Sequence, residues 1–141
     1  MAVSKNRITV SSLTRRMGAI TKLLKVTLIV HIVLAVLFGL PLLGMPVRFL
    51  AFFGWAQVDP LLSRVLGAAL LGFGWLDLRT LRGNSRQTAQ LVIEAGTVFC
   101  GLSAAGLLWQ VLGAYWPWMV WIVLATFIIL TVLWVVNWIK K

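Results

Sequence analysis

The sequence predicts an all-α integral membrane protein, a four-transmembrane-helix bundle with a short amphipathic N-terminal helix. The first observation is composition: the chain has 141 residues, 61% of them hydrophobic and 11% charged, and its mean hydropathy is +0.99. Ordinary soluble domains contain roughly 45–50% apolar and about 25% charged residues. A domain this small cannot bury so much apolar surface in water. The composition therefore excludes soluble and disordered chains, and the single cysteine, Cys100, excludes a disulfide scaffold.

The second observation is the spacing of the apolar stretches. A helix needs about 20 apolar residues to cross a bilayer. Four stretches meet that length, and the predicted spans are residues 26–44, 60–78, 88–113 and 117–139. Asp59 suits an N-cap and Pro60 the first position of the second span, while the polar turn at residues 82–85 separates the second span from the third.

The third observation is the distribution of charge and tryptophan. Lys and Arg number 13 against three acids, and with four crossings 11 of the 13 fall on one side, which the positive-inside rule makes cytoplasmic. This predicts a bacterial-type inner membrane protein with both termini cytoplasmic, attracted to anionic headgroups. Nucleic acid is not a predicted partner, because no binding module accompanies the charge. Tryptophans are expected at the two interfaces: Trp55, Trp109, Trp116, Trp118 and Trp121 outside, and Trp75, Trp134 and Trp138 inside.

Two flanking segments have helical patterns of their own. In the basic segment at residues 1–25, the apolar side chains between 12 and 24 recur at helical spacing. They predict an amphipathic helix on the membrane surface, or alternatively an extension of the first span. In the outer loop at residues 45–59, Phe49, Phe52 and Phe53 share one face of a short helix that begins at Pro46. That helix is expected to be an aromatic anchor in the headgroups, or a lid over a cavity.

Small residues predict how the spans pack, because helices in lipid associate where small side chains allow close approach. The second and third spans carry such stripes and are expected to form the tight centre of the bundle. The fourth span is bulky throughout and is expected to face lipid or a partner protein. The predicted packing residues are Ala68, Gly72, Gly96, Cys100, Ala104, Gly101 and Ala105.

Ionisable groups within a span are costly and mark candidate sites. His31 and Glu94 lie at matched depths on different helices, and Asp77 lies close to the same level. These three form either a polar clamp between helices or a site for a proton, a quinone or a small solute. Arg64, near the outer end of the second span, is the outer-side candidate or reaches the headgroups with its long side chain. A lone histidine such as His31 can also be the axial ligand of a pigment.

One stretch resembles a known family. Residues 59–72 carry Arg64 followed by Gly-Ala-Ala-Leu-Leu-Gly on the second span, and this resembles small bacterial four-helix membrane proteins of the DoxX-like type. The resemblance covers about 20 residues and the four-span plan. It implies a role beside quinone-linked respiratory complexes, with which some members are associated, and it transfers no catalytic residue. The small multidrug transporters, which also have four spans, carry a key glutamate in the first helix, where this chain has His31 and no acid.

The sequence lacks the motifs of most enzymes. It contains no zinc-protease motif, nucleophile elbow or phosphate-binding loop, so hydrolysis, phosphoryl transfer and dithiol redox chemistry are disfavoured. The leading expectation is a non-enzymatic accessory or scaffold subunit of a larger membrane complex, or a self-associating protein, with no cofactor. The alternative is a small proton-linked transporter or a lipophilic-ligand binder that uses Glu94 and His31, its ligand a quinone or a single-His-ligated pigment.

Overall fold

The structure, a computed structural model, describes residues 20–55, 59–113 and 117–139. This part of the chain contains five helices and no strand: α1 (Lys22–Gly44), α2 (Pro46–Phe52), α3 (Pro60–Gly83), α4 (Arg86–Gly113) and α5 (Trp118–Ile139). The four long helices have the length and apolar composition needed to cross a membrane, whereas α2 has seven residues. The predicted class, a helical protein with four apolar spans, is therefore confirmed.

The predicted short amphipathic N-terminal helix requires correction. The first described helix, α1, is itself a candidate membrane span. It begins at Lys22 because Thr21 caps it, with an extended backbone and a hydroxyl that accepts a hydrogen bond from the Leu24 N–H at 3.2 Å. Most of the predicted amphipathic segment at residues 12–24 lies outside the described residues. Its described part is the cap and first turn of the span.

The ends of α3 follow from local chemistry. The Asp59 carboxylate accepts hydrogen bonds from the N–H groups of Leu61 and Leu62 at 2.7 and 3.3 Å, and Pro60 occupies the first helical position, as the sequence predicts. The helix continues five residues past the predicted end at 78 and stops where Asn84 adopts a left-handed conformation, with φ of 46°. This extension adds a turn in which Thr80 is buried while Arg79 and Arg82 are exposed.

The closest helix pairs are α1 with α3 and α4 with α5, while α3 and α4 make few contacts. Gly39 and Gly67 bring the first pair together, since a Cβ on Gly67 would lie 2.8 Å from both the Gly39 carbonyl oxygen and the Leu43 nitrogen. The structure thus differs from the predicted centre between the second and third spans. The reason is that α3 turns its polar face, with Asp77, toward α1, where that side chain finds a partner.

The predicted small-residue stripes on α3 and α4 differ in burial. On α3, Ala68 and Gly72 are exposed, and nothing lies within 4 Å of a Cβ placed on Gly72. On α4, Gly96 is buried against α5, so that stripe packs on the last span. Of the other predicted packing residues, Cys100 is buried, Gly101 and Ala104 are partly buried, and Ala105 is exposed.

The expectation that the fourth span faces lipid or a partner fits only one of its faces, where Ile122, Ile128 and Ile129 are exposed. Leu124, Leu130 and Trp134 of α5 are buried inside the bundle. Trp134 has no exposed surface, so it is a core residue and not an interfacial anchor. Its indole fits because Gly96 of α4 has no side chain: a Cβ there would lie 2.7 Å from Trp134 Cε2. By contrast, Trp109 is 82% exposed.

The two ends of the bundle differ in character. The basic end comprises the start of α1 and the turn between α3 and α4, with its exposed side chains Lys22, Lys25, Arg79, Arg82 and Arg86. The aromatic end comprises α2 and the starts of α3 and α5.

Candidate functional site

A buried histidine–aspartate pair joins α1 to α3. His31 Nδ1 lies 2.5 Å from Asp77 Oδ2, and the two residues are only 3% and 1% exposed. His31 is nine residues into α1 and Asp77 is six residues before the end of α3, so the two packed helices bring them to the same depth. When the Asp77 carboxylate is ionised it only accepts hydrogen bonds, and Nδ1 then carries the hydrogen. Buried ionisable groups persist when they pair in this way.

A second set of polar side chains lies one helical turn nearer the basic end. This polar layer consists of Thr27, Thr80 and Asn137 from α1, α3 and α5, all of them buried. The Asn137 amide donates to the Thr27 hydroxyl at 3.0 Å and to the Leu133 carbonyl at 2.8 Å. Thr27 is one turn from His31 and Thr80 is about one turn from Asp77. The pair and the polar layer therefore stack along the axis of the bundle.

Trp134 of α5 packs against His31. Its ring lies edge-on to the imidazole, with the ring centroids 5.6 Å apart and the planes at 87°. Two buried polar atoms in this region, Asp77 Oδ1 and Thr80 Oγ1, have no hydrogen-bond partner among the described residues. A buried group of this kind costs about 1–3 kcal/mol unless it is satisfied. The surroundings of the pair thus retain hydrogen-bonding capacity.

An apolar cavity of about 630 Å³ extends from His31 toward the aromatic end, between the α1–α3 and α4–α5 pairs. Its volume lies in the range of small-molecule sites, which are mostly apolar with a few placed polar groups. The polar positions in its lining are His31, Ser63, Ser103 and Thr126. The apolar positions are Leu34, Ala35, Phe38, Leu42, Phe49, Leu50, Phe53, Trp55, Leu66, Leu70, Gly106, Leu107, Met119, Val123, Phe127 and Leu130.

Aromatic side chains close the cavity at the aromatic end. Phe49 of α2 packs edge-on against Phe38 of α1 and against Phe53, with ring centroids 6.0 and 5.1 Å apart. Phe49, Phe53 and Trp55 all contribute to the lining, whereas Phe52 is 83% exposed. The short helix α2 is therefore a wall of the cavity, and Phe52 is its outward-facing member.

The structure brings together some of the predicted site residues and separates others. His31 pairs with Asp77, whereas Glu94 is partly buried, accepts a hydrogen bond from the Gln90 amide at 3.0 Å on its own helix, and lies outside the cavity lining. Arg64 is exposed on α3. Cys100 is a free, buried thiol in the same apolar core as Trp134.

Sequence reasoning missed the polar layer and Trp134. The signal for the layer was present, because Thr27 is four residues from His31 and Thr80 three from Asp77, which places each pair on one helix face. No comparable signal marked Trp134, whose position near a predicted interface is typical of an anchor. Within the described ranges, no group of three or more His, Cys, Asp or Glu side chains is placed to hold a metal ion.

The fold and the site together define a class: a helical chain with four candidate membrane spans around an apolar cavity that ends at a buried histidine–aspartate pair. Comparison with protein-family models, with curated protein sequences and with solved structures found no match. The resemblance to DoxX-like proteins therefore stays a prediction.

Proposed function

We propose that the chain is a multi-pass membrane protein that binds a lipophilic small molecule with a hydrogen-bonding ring, of the quinone class, in the apolar cavity. The observation that carries the proposal is the position of His31, which lines the cavity and is paired through Nδ1 with Asp77. The pair would hold the polar ring of the ligand at the closed end, and the remaining lining would surround its apolar part.

The chemistry of the imidazole suits both forms of such a ligand. With Nδ1 committed to Asp77, Nε2 is the ring nitrogen left for a ligand. When His31 is neutral, Nε2 accepts a hydrogen bond from a hydroxyl such as that of a quinol. When His31 is protonated, Nε2–H donates to a carbonyl such as that of a quinone. Asp77 fixes the orientation of the ring in both cases.

Selectivity for the ligand over lipid would come from His31 and from the aromatic rings of Phe49 and Phe53 more than from the aliphatic side chains of the lining. Lipid tails are as apolar as leucine, so a lipophilic molecule gains little by exchanging the bilayer for apolar side chains. A hydrogen bond at His31 and edge or stacking contacts with Phe49 and Phe53 are available only in the cavity.

The membrane setting of the proposal follows the charge distribution. Five of the seven Lys and Arg side chains in the described ranges lie at the basic end, at the start of α1 and around the α3–α4 turn, while Arg48 and Arg64 lie toward the aromatic end. We place this end at the cytoplasmic face of a bacterial-type inner membrane, with both termini cytoplasmic and the side chains near anionic headgroups. The aromatic end then lies toward the outer leaflet.

The test is the equilibrium binding of a short-chain isoprenoid benzoquinone to the purified protein in mild detergent. Replacing the pair by His31→Leu with Asp77→Leu removes the hydrogen bond without leaving a buried charge. We expect affinity to fall about tenfold to a hundredfold, the equivalent of one hydrogen bond to a charged group. Glu94→Gln is the control and should retain binding, because Glu94 lies outside the cavity lining. Equal affinity of the double variant and the parent would overturn the proposal.

Two other observations would favour a different function. The carboxylate–histidine arrangement also suits the axial ligand of a pigment, since such pairs orient metal-binding imidazoles; a visible absorption band in the purified protein would indicate that ligand. The predicted accessory or scaffold role, with other membrane subunits or a second copy as partners, stays a prediction. Stoichiometric partners that copurify in mild detergent would support it.

A further inference from the structure

We infer that the His31–Asp77 pair exchanges protons with water at the basic end of the bundle, through the polar layer, so that ligand binding in the cavity takes up a proton from that side. The coupling to a ligand rests on the proposed function. The proton access does not, because it depends only on the arrangement of the buried polar groups.

The first support is the position of those groups. Five of the six buried polar residues in the described ranges lie in the half of the bundle toward the basic end: Thr27, His31, Asp77, Thr80 and Asn137. Thr80 is three residues from the end of α3 and Asn137 two from the end of α5. At about 1.5 Å per residue, both lie within roughly 5 Å of the ends of their helices. The polar layer therefore spans the short distance between the pair and the basic end.

The second support is the set of unsatisfied atoms between the pair and the layer. Asp77 Oδ1 and Thr80 Oγ1 are buried on the same face of α3, and neither has a hydrogen-bond partner among the described residues. Buried waters typically make about three hydrogen bonds to such groups. A water that accepts from the Thr80 hydroxyl and donates to Asp77 Oδ1 would satisfy both atoms. It would also extend the hydrogen-bonded path from Asp77 toward the basic end.

The opposite approach is mostly apolar. The cavity lining beyond His31 has three polar side chains, Ser63, Ser103 and Thr126, and the Ser63 and Thr126 hydroxyls donate to backbone carbonyls four residues before them. On α1, the residues that line the cavity beyond His31 are Leu34, Ala35, Phe38 and Leu42, all apolar. Since proton transfer requires a chain of donors and acceptors, this lining favours access from the basic end over access from the aromatic end.

The proposed step adds one proton to the His31–Asp77 pair. One proton from water is added to the neutral imidazole, so the pair changes from imidazole–carboxylate to imidazolium–carboxylate and its net charge from −1 to zero. Both ring nitrogens then carry hydrogen: Nδ1–H donates to Asp77, and Nε2–H is free to donate to a carbonyl of the ligand. A ligand that accepts a hydrogen bond thereby favours uptake of the proton.

The other titratable and charged groups near the pair are few. In the described chain, α4 contributes the buried thiol of Cys100 and the partly buried carboxylate of Glu94. Arg79 on α3 and Lys25 on α1 are exposed toward the basic end. The α5 neighbours, Trp134 and Asn137, are neutral. Only His31 changes charge in the proposed step.

The test uses the fact that His31 is the single histidine of the chain. Protein labelled with ¹⁵N-histidine is reconstituted in one orientation in lipid vesicles, and the pH is stepped on one side at a time while the imidazole signal is followed by solid-state NMR. We expect the signal to respond to pH at the basic end and not to pH at the aromatic end. A response confined to the aromatic end, or none from either side, would overturn the inference.

Matched variants locate the path. Thr80→Val removes the hydroxyl at nearly constant shape and should abolish the rapid response, with Thr27→Val in its place if the first variant fails to fold. Thr97→Val is the control, because Thr97 lies on α4 outside the polar layer and its hydroxyl makes the same kind of bond to its own helix, at 2.7 Å to the Ile93 carbonyl, as Thr27 makes to the Leu23 carbonyl at 3.1 Å. An unchanged response in the folded Thr80 and Thr27 variants would contradict the path.

Adding the short-chain benzoquinone separates this inference from the proposed function. If the quinone binds with proton uptake from the basic end, both hold. If His31 responds at the basic end but no quinone binds, the proposed ligand is wrong and the proton access stands. If the quinone binds and no proton is taken up from the basic end, the coupling is wrong and the ligand site stands.

Discussion

At the residue scale, the proposed site depends on one hydrogen-bonded histidine–aspartate pair inside an apolar bundle. His31 and Asp77 are almost completely buried and lie within hydrogen-bond distance of each other, with Trp134 against the imidazole edge. Each partner makes the burial of the other tolerable. Because His31 also lines the cavity, the residue that joins α1 to α3 is in a position to meet the proposed ligand.

Removing one partner of this pair should therefore cost more than removing both. We expect His31→Leu to lower the free energy of unfolding by about 3–5 kcal/mol, because it leaves the Asp77 carboxylate buried and unpaired. Combining it with Asp77→Leu should recover most of the loss. Reversible unfolding in mixed detergent micelles measures both values. A double variant no more stable than His31→Leu would contradict the pairing.

The choice of partner for His31 shows a limit of the sequence. Glu94 and Asp77 both lie near the predicted membrane depth of His31. The sequence gives that depth along each span, but not which spans are neighbours. Which carboxylate meets the imidazole depends on which helices are neighbours. Because α1 packs on α3 and not mainly on α4, Asp77 becomes the partner, and Glu94 bonds to Gln90 of its own helix.

At the element scale, two close helix contacts organise the bundle. Gly39 and Gly67 allow α1 and α3 to touch through their backbones, and Gly96 admits Trp134 between α4 and α5. Small-residue stripes in the sequence indicated that close helix contacts exist, but not which stripe makes them. Ala68 and Gly72, which are exposed, have the same spacing of small residues as the stripe on α4 that contains the buried Gly96. The face of α3 that packs on α1 is the one that carries Asp77, whose side chain needs a partner when it is buried.

The glycine contact gives a prediction with an internal control. Gly67→Ala should separate α1 from α3, because its Cβ would meet backbone atoms of Gly39 and Leu43 at 2.8 Å, and backbone cannot move aside. Overpacking of this kind typically costs about 1–3 kcal/mol. Gly72→Ala, on the same helix with open space around it, should be neutral or slightly stabilising. The midpoint of thermal unfolding in detergent measures both, and equal effects would contradict the α1–α3 contact.

At the scale of the whole molecule, the composition and the spacing of apolar stretches were enough to predict four apolar helices, since length and hydropathy are local properties. The cavity was not predictable in the same way. It arises because the α1–α3 and α4–α5 pairs lie apart along part of their length, with α2 across one end. Its lining draws on residues from all five helices, and no single stretch of sequence records that convergence.

The measurement that tests the central claim most directly is benzoquinone binding to a chain whose cavity has been filled. Gly106 lines the cavity and a Cβ there meets nothing within 4 Å, so Gly106→Phe is the substitution expected to place a ring in the ligand's space, with thermal unfolding as the check that the bundle is intact. Gly72→Phe adds the same ring on an open surface outside the lining. We predict that the parent and the Gly72 variant bind the quinone and the Gly106 variant does not. Equal binding by all three would contradict a ligand site in this cavity.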